Sequence, residues 1–187
     1  TFLDGAEKLL RKMPDHVPAC IGQSLETKSQ VVPVPLGEEC FQEAVRVGKF
    51  SILWNHRWEF DKGLDELRQI VSGLLESQVD FIFHLAGQQF KAVHPLMSEV
   101  IALLKNSNRL GNSGFIESRE NYLELLASSH CVLSTSNHEF QGLAVQEAIA
   151  SGCLPVVPDR LVYPEYIESP WRYRNPKHAV ELLQSLS

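Results

Sequence analysis

The sequence has little of what several common classes of protein require. Its longest apolar stretches, such as VSGLL at 71–75, are far shorter than the ~20 residues of a membrane-spanning helix, so we expect no membrane partner. With 17 Lys and Arg against 23 Asp and Glu, the chain lacks the basic excess that is typical of nucleic-acid binders. Its 4 cysteines form no CxxC pair and no Cys/His spacing for zinc. We therefore expect reduced thiols and a cytoplasmic location.

The usual nucleotide fingerprints are missing as well. Neither a Walker A sequence nor GxGxxG occurs, which excludes the most familiar phosphate-binding loops. What remains is an ordinary globular composition, with 44% hydrophobic and 21% charged residues in a chain of 187. That length is enough for one compact core. The sequence begins with Thr1 in a helical pattern over 3–13, so we expect it to be part of a longer protein.

Apolar runs alternate with helical patterns from residue 50 onwards. Residues 14–40 are mixed and punctuated by prolines, and VVPVP within them is extended, so this segment predicts a linker or the tail of an absent domain. The predicted strands are 50–54, 80–87, 112–116, 131–135 and 154–157, and the predicted helices are 64–76, 93–105, 118–126, 143–150 and 177–186. Continuous apolar strands between helices predict an α/β fold with a parallel sheet that is buried on both faces. The carboxyl ends of such strands share one edge of the sheet, where ligands bind.

The loop after the first predicted strand, NHRWEFDKG, brings two cations to this edge. Arg57 and Lys62 lie between a strand and a helix start, next to Gly63. Helix N–H groups, the helix dipole and both side chains can converge there on an anion such as a diphosphate. Glu59 and Asp61 lie in the same loop, so a solvated charged loop is the alternative, and the composition of the loop alone favours it.

A second loop, STSNHEFQGLAVQE, carries two carboxylates after the fourth predicted strand. Glu139 ends the loop, and Glu147 lies further on, inside the helix that follows. Such a pair can serve acid–base chemistry or accept hydrogen bonds from sugar hydroxyls. Alternatively, Glu139 complements the helix dipole and Glu147 is an ordinary surface residue. Near the end of the chain, WRYRNPK at 171–177 is a basic cluster that suits a nucleic acid, and a domain-docking tail explains it equally well.

These pieces occur in an order that resembles a known family. The order is a strand with Arg-x4-Lys-Gly, a Gly-Phe-Ile strand, then Glu-x7-Glu-Ala and Gly-x-Leu-Pro-Val-Val. Over residues 50–168 it resembles the donor-binding half of the retaining glycosyltransferases of family 4. The strings ILWNHRWEFDKG, GFIESRENY and HEFQGLAVQEAIASGCLPVVPDRLVYPE are similar to those of the tRNA-queuosine α-mannosyltransferases, which add mannose to queuosine in a tRNA anticodon.

The resemblance implies a Rossmann-like parallel sheet with helices on both faces, the C-terminal half of a GT-B glycosyltransferase. Residues 1–40 would be the end of an N-terminal domain plus an interdomain linker, and residues 41–187 the domain that binds the nucleotide sugar. The donor would be GDP-mannose, no metal or other cofactor would be needed, and tRNA would be held mainly by the absent N-terminal domain. We therefore expect this chain alone to bind the donor without transferring the sugar.

The resemblance also implies roles for individual residues. Arg57 and Lys62 would neutralise the donor diphosphate, and Glu139 would lie near the transferred sugar. Glu147 would hold the ribose of the nucleotide. The remaining donor-binding residues would be those that approach the sugar, the phosphates or the nucleobase: Phe115, Ile116, Gly142 and Leu143.

Two other functions stay compatible with these residues. One is a family 4 enzyme with another donor or acceptor, such as a UDP-sugar. The other is a nucleotide-binding or interaction module that has the fold without the catalysis. The presence of all four charged residues, Arg57, Lys62, Glu139 and Glu147, argues against the second.

Overall fold

A computed structural model of the protein describes residues 2–14, 18, 20–89 and 93–187. The chain forms two compact units, Thr1–Val34 and Pro35–Ser187. Among the described residues, no helix has both the length and the apolar character needed to cross a membrane. The domain boundary expected at residue 40 stays a prediction.

The described residues of the smaller unit form two short helices, α1 (Phe2–Leu10) and α2 (Ile21–Lys28), neither of which buries a residue. Helix α2 was not predicted, and it lies within residues 14–40, the segment predicted as a linker or the tail of an absent domain. Its sequence, IGQSLETK, is mostly polar, and no side chain caps its first turn. The two signals that mark a helix in a sequence, an apolar stripe and an N-cap, are therefore both weak here.

The larger unit alternates strands and helices, so the predicted α/β class is confirmed. Its strands are β1 (Phe50–Trp54), β2 (Phe81–Ala86), β3 (Leu110–Gly114), β4 (Cys131–Leu133), β5 (Leu154–Pro158) and β6 (Arg172–Tyr173). Its helices are α3 (Leu64–Leu75), α4 (Pro95–Asn106), α5 (Arg119–Ser128), α6 (Leu143–Ala150) and α7 (Pro176–Ser185). Short 3₁₀ helices occur at Glu38–Cys40, Phe60–Lys62, Tyr163–Glu165 and Ser169–Trp171.

The strands form one parallel sheet in the order β3-β2-β1-β4-β5-β6. Phe50 pairs with Phe81 and Ile52 with Cys131, so β1 lies between β2 and β4. The chain runs outwards from β1 to β3 and then returns to place β4 on the other side of β1. Ligands of open parallel sheets bind at such a reversal, outside the carboxyl ends of the strands. The loops after β1 and β4 therefore form the expected binding edge.

Helices cover both faces of the sheet. Ile52 is buried together with Leu67 beneath the face that α3, α4 and α7 cover. The next residue, Leu53, is buried with Val145 on the opposite face, which α5 and α6 cover. Successive residues of a strand point to opposite faces, so a strand covered on both sides must be apolar throughout. This requirement explains the continuous run FSILW in β1.

Strand β4 ends at Leu133 instead of 135, and the bounds of β2 and β5 differ from the predicted ones by no more than one residue at either end. Two further strands depart more from the prediction. Strand β3 covers Leu110–Gly114 instead of 112–116, because it lies at the edge of the sheet and its partly exposed sequence, LGNSG, shows no apolar run. Strand β6 was not predicted, since its two residues, Arg172 and Tyr173, are too few to show any periodicity. The sheet accordingly has 6 strands rather than the five predicted.

Candidate functional site

The loops that follow β1 and β4 are joined by hydrogen bonds at the binding edge. The main-chain amides of Asn137 and His138 donate to the carbonyl of Asp61, at 2.8 and 3.2 Å. The hydroxyl of Thr135 donates to the carbonyl of Lys62 at 2.7 Å. The two loops whose charged residues the sequence singled out therefore form one surface.

Lys62 is the buried cation of this surface, with only 7% of the residue exposed. Its Nζ lies 3.2 Å from Glu139 Oε2 and 3.3 Å from Asp61 Oδ2, and it donates to the carbonyl of His138 at 3.0 Å. A buried ammonium group is costly unless several acceptors surround it, and these three oxygens meet that need. The position of Lys62 is thus set by the protein itself.

Glu139 is held by Lys62 on one side and by its own loop on the other. Its Oε1 accepts hydrogen bonds from the main-chain amides of Phe140 and Gly142, each at 3.2 Å. Gly142 has a φ of +76°, and α6 begins at the next residue, Leu143. A glycine suits this turn because residues with a side chain rarely adopt a positive φ. The resulting carboxylate is well suited to accept hydrogen bonds from hydroxyl groups.

A cleft of about 390 Å³ opens at the same edge, which is within the usual range for small-molecule sites. Its walls come from the loops after β1, β2 and β3 and from side chains of α5 and α6. Four of the residues predicted from the sequence line it: Arg57, Phe115, Ile116 and Glu147.

Of the four predicted residues in the cleft wall, Arg57 and Phe115 are exposed. The Arg57 side chain is 53% exposed, and its guanidinium lies 3.1 Å from the carboxylate of Glu59. Exposed ion pairs contribute little to stability, so an anionic ligand can compete with Glu59 for this cation. Phe115 is 64% exposed and offers an aromatic face to a planar ligand.

Glu147 extends from α6 into the cleft wall, where two residues of α5 hold it. Its Oε1 accepts from Arg119 Nη2 at 2.7 Å, and its Oε2 accepts from the Tyr122 hydroxyl at 3.3 Å. Arg119 also pairs with Glu39 at 3.2 Å. The hydrogen bond to Glu147 raises the pKa of Arg119, while burial and then the charge of Glu147 raise the pKa of Tyr122. Both side chains therefore stay protonated and donate to the carboxylate.

Sequence reasoning missed Arg119 and Tyr122. Only the start of their helix, predicted at residue 118, could be found, and there Ser118 caps the helix by accepting a hydrogen bond from the amide of Asn121 at 3.2 Å. Nothing in the local pattern indicates a partner on α6. One signal could have identified Arg119: it is a cation that directly follows the start of a predicted helix at the binding edge.

The structure divides the predicted site residues between two groups. The cleft group contains Arg57, Phe115, Ile116 and Glu147. The loop group contains Lys62, Glu139, Gly142 and Leu143. Helix α6 connects the two groups, because it begins beside Glu139 and carries Glu147. The two predicted cations are thus apart, with Arg57 in the cleft wall and Lys62 enclosed by the loop after β4.

Within the ranges that the structure describes, no three His, Cys, Asp or Glu side chains are gathered as a metal would require. That the reaction needs no metal stays a prediction.

The basic cluster predicted at 171–177 is interrupted by β6, because Tyr173 is buried and Arg172 pairs with Asp159 at 3.1 Å.

A family model described as glycosyl transferases group 1 matches residues 38–170, which is most of the larger unit. The chain belongs to the glycosyl transferases group 1 family. The chain is also 35% identical, over 176 residues, to a Drosophila melanogaster protein named tRNA-queuosine alpha-mannosyltransferase. The match covers 88% of this chain and 46% of that protein, so the chain spans about half the length of its relative. The resemblance predicted from the sequence is confirmed.

Solved structures of other proteins have the same fold as this chain. The C-terminal domain of a glycosyl transferase group 1 family protein, LpcC, from Francisella tularensis matches with a TM-score of 0.68 and 19% identity, over 81% of this chain and 87% of that one. Sucrose-phosphate synthase from Thermosynechococcus elongatus matches with a TM-score of 0.68 and 14% identity, over 84% of this chain and 43% of that one. Both support the predicted GT-B domain.

Proposed function

We propose that this glycosyltransferase binds GDP-mannose, and that the intact enzyme transfers the mannose to queuosine in tRNA with retention of the anomeric configuration. The observation that carries the proposal is the 35% identity to the Drosophila protein named for that reaction. Since the chain spans about half of that relative, transfer and tRNA binding are proposed for the longer protein. We also propose a cytoplasmic location, which the free buried thiols of Cys131 and Cys153 support.

The cations of the site suit the departure of a nucleoside diphosphate. As the bond between the sugar and the β-phosphate breaks, negative charge builds on the phosphate oxygens. A cation already positioned beside those oxygens stabilises the transition state more than the ground state. In this proposal Arg57 is the exposed cation that meets the diphosphate in the cleft. Lys62 is the fixed cation that completes its neutralisation.

The acceptor groups of the site suit the hydroxyls of a nucleotide sugar. Glu139 would accept from the hexose, beside the phosphates that Lys62 attracts. Glu147, oriented by Arg119 and Tyr122, keeps lone pairs that ribose hydroxyls can use. The tRNA would be bound mainly by the part of the enzyme outside this chain, because the net charge of −6 gives no general attraction for a polyanion.

Thermal unfolding with GDP, GDP-mannose, UDP, UDP-glucose and ADP tests the donor. A ligand present at about 100 times its dissociation constant should add about 2.7 kcal/mol to the free energy of unfolding. We expect that increase with GDP and GDP-mannose, and much less with the other three. Stabilisation by the UDP ligands alone would contradict GDP-mannose as donor. No stabilisation by any nucleotide would favour a module without catalysis.

Replacing Arg119 with glutamine should weaken the binding of GDP about tenfold. This is the effect expected when the charged carboxylate of Glu147 loses one hydrogen bond from the ribose. The variant removes the charged partner of Glu147, which then loses its orientation and repels the diphosphate. Titration calorimetry measures the affinity. Arg68→Gln is the matched control, because Arg68 lies on α3 outside the cleft lining and pairs with Glu99 at 3.8 Å. Equal affinities of the two variants would show that Arg119 does not support the ribose site.

A further inference from the structure

Two buried polar atoms on residues that line the cleft have no hydrogen-bond partner among the residues that the structure describes. They are Oδ1 of Asn55 and Nε2 of His56, and both residues line the cleft immediately after β1. The two residues are only 6% and 4% exposed. Buried polar atoms are almost always paired, since leaving one unpaired is costly. Two such atoms in consecutive residues of one cleft wall indicate that a ligand supplies the missing partners.

The amide of Asn55 has a defined orientation. Its Nδ2 donates to the carbonyl of Ala144 at 2.7 Å and to the hydroxyl of Tyr122 at 3.0 Å. A carbonyl oxygen can only accept, so the nitrogen of the amide must be the atom beside Ala144. The unpaired atom is therefore an acceptor, and its missing partner is an O–H or N–H group.

His56 contributes a neutral ring rather than a second cation. Burial, and to a smaller extent the nearby charge of Lys62, lowers the pKa of His56 to about 3. The ring packs edge-on against Trp54, with the centroids 5.2 Å apart. At neutral pH the imidazole thus carries one N–H donor and one acceptor nitrogen. An apolar residue would fill the same space without leaving a nitrogen unpaired, so packing alone does not account for a histidine.

We propose that His56 binds the donor, with its Nε2–H donating a hydrogen bond to a phosphate oxygen of the nucleoside diphosphate in the cleft. This inference rests on the function proposed above. Arg57 is the next residue and lines the same cleft, so one diphosphate would meet the guanidinium and the imidazole together. Asn55 Oδ1 would accept from a hydroxyl of the same ligand. The neutral N–H adds direction to the attraction that Arg57 provides.

Three variants test this role: His56→Leu, His56→Gln and Trp58→Phe. Leucine removes both ring nitrogens at a similar volume, whereas glutamine keeps an N–H group at a comparable reach. Trp58→Phe is the matched control, because it removes another buried and unpaired N–H, Nε1 of Trp58, from a residue that does not line the cleft. Titration calorimetry with GDP and with guanosine gives the affinities, and the melting temperature without ligand reports any structural damage.

We expect His56→Leu to bind GDP about 10- to 100-fold more weakly than the original protein, with an unchanged or higher melting temperature. His56→Gln should recover part of the affinity, and Trp58→Phe should bind GDP normally. Guanosine, which has no phosphate, should bind the His56→Leu variant and the original protein equally well.

Normal binding of GDP by His56→Leu would overturn the inference and leave the proposed function intact. The inference would also be overturned if His56→Leu lost affinity for GDP and guanosine equally and had a lowered melting temperature. That result would indicate that His56 serves packing alone. If the original protein binds neither GDP nor GDP-mannose, the proposed function fails, and this inference fails with it.

Discussion

Replacing Lys62 with methionine should destabilise the protein by about 3 kcal/mol and remove most of the affinity for the proposed donor, GDP-mannose. The ammonium lies within 3.3 Å of the carboxylates of Asp61 and Glu139 and of the carbonyl of His138. Methionine keeps the length of the side chain but leaves these oxygens without a cation. Loss of a hydrogen bond to the charged diphosphate should weaken donor binding about 10- to 100-fold. Chemical denaturation and titration calorimetry on the same samples measure the two effects.

Lys49→Met is the matched control for this prediction. Lys49 Nζ lies 3.1 Å from Asp80, but the two side chains are 53% and 58% exposed, so their ion pair should contribute less than about 1 kcal/mol. Lys49 precedes β1, at the end of the strand opposite the cleft. Its replacement should change neither quantity appreciably. If Lys62→Met were as stable as Lys49→Met, the cluster around Lys62 would not hold the two loops together. Normal donor binding by Lys62→Met would exclude Lys62 as a ligand of the diphosphate.

The sequence predicts an element best where one physical requirement decides its residues. Strand β1 must be apolar on both faces, and its predicted bounds, 50–54, are those observed. Helix α6 lies between a glycine turn and the next buried strand, and its bounds, 143–150, are also observed. Edge strand β3 has no such requirement, since partly exposed residues need not be apolar. The two-residue strand β6 forms only by pairing with β5, and no local sequence pattern indicates that pairing.

The charged residues of the site could be found in the sequence, but their partners could not. Arg57 and Lys62 lie in one loop, yet the turn Phe60–Lys62 and the left-handed Gly63 bring Lys62 to the loop after β4. The contact between Arg119 and Glu147 joins residues that are 28 positions apart on two helices. Pairings of this kind depend on how elements pack, and a single sequence contains no periodic signal for them.

Gly63→Ala should cost about 3 kcal/mol of stability and weaken donor binding as well. Gly63 has a φ of +68°, in the left-handed region, which costs a residue with a side chain roughly 1–2 kcal/mol. A Cβ at this position would also overlap the carbonyl oxygen of Thr135, and forced overlaps in packed regions cost about 1–3 kcal/mol. Because the hydroxyl of Thr135 donates to the Lys62 carbonyl, a shift of this contact would also move Lys62 relative to Glu139. Chemical denaturation and titration with GDP-mannose measure the two losses.

Gly48→Ala separates the two causes. Gly48 has a φ of +87°, but a Cβ there would meet nothing within 4 Å, so its replacement carries the conformational cost alone. The extra destabilisation of Gly63→Ala over Gly48→Ala therefore measures how closely the loop after β1 approaches the loop after β4. If the two variants were equally stable, the loops after β1 and β4 would have room for an additional Cβ between them. Their contact would then not fix the position of Lys62. If Gly63→Ala lost stability but kept its donor affinity, the contact between the loops would serve the fold without positioning the site.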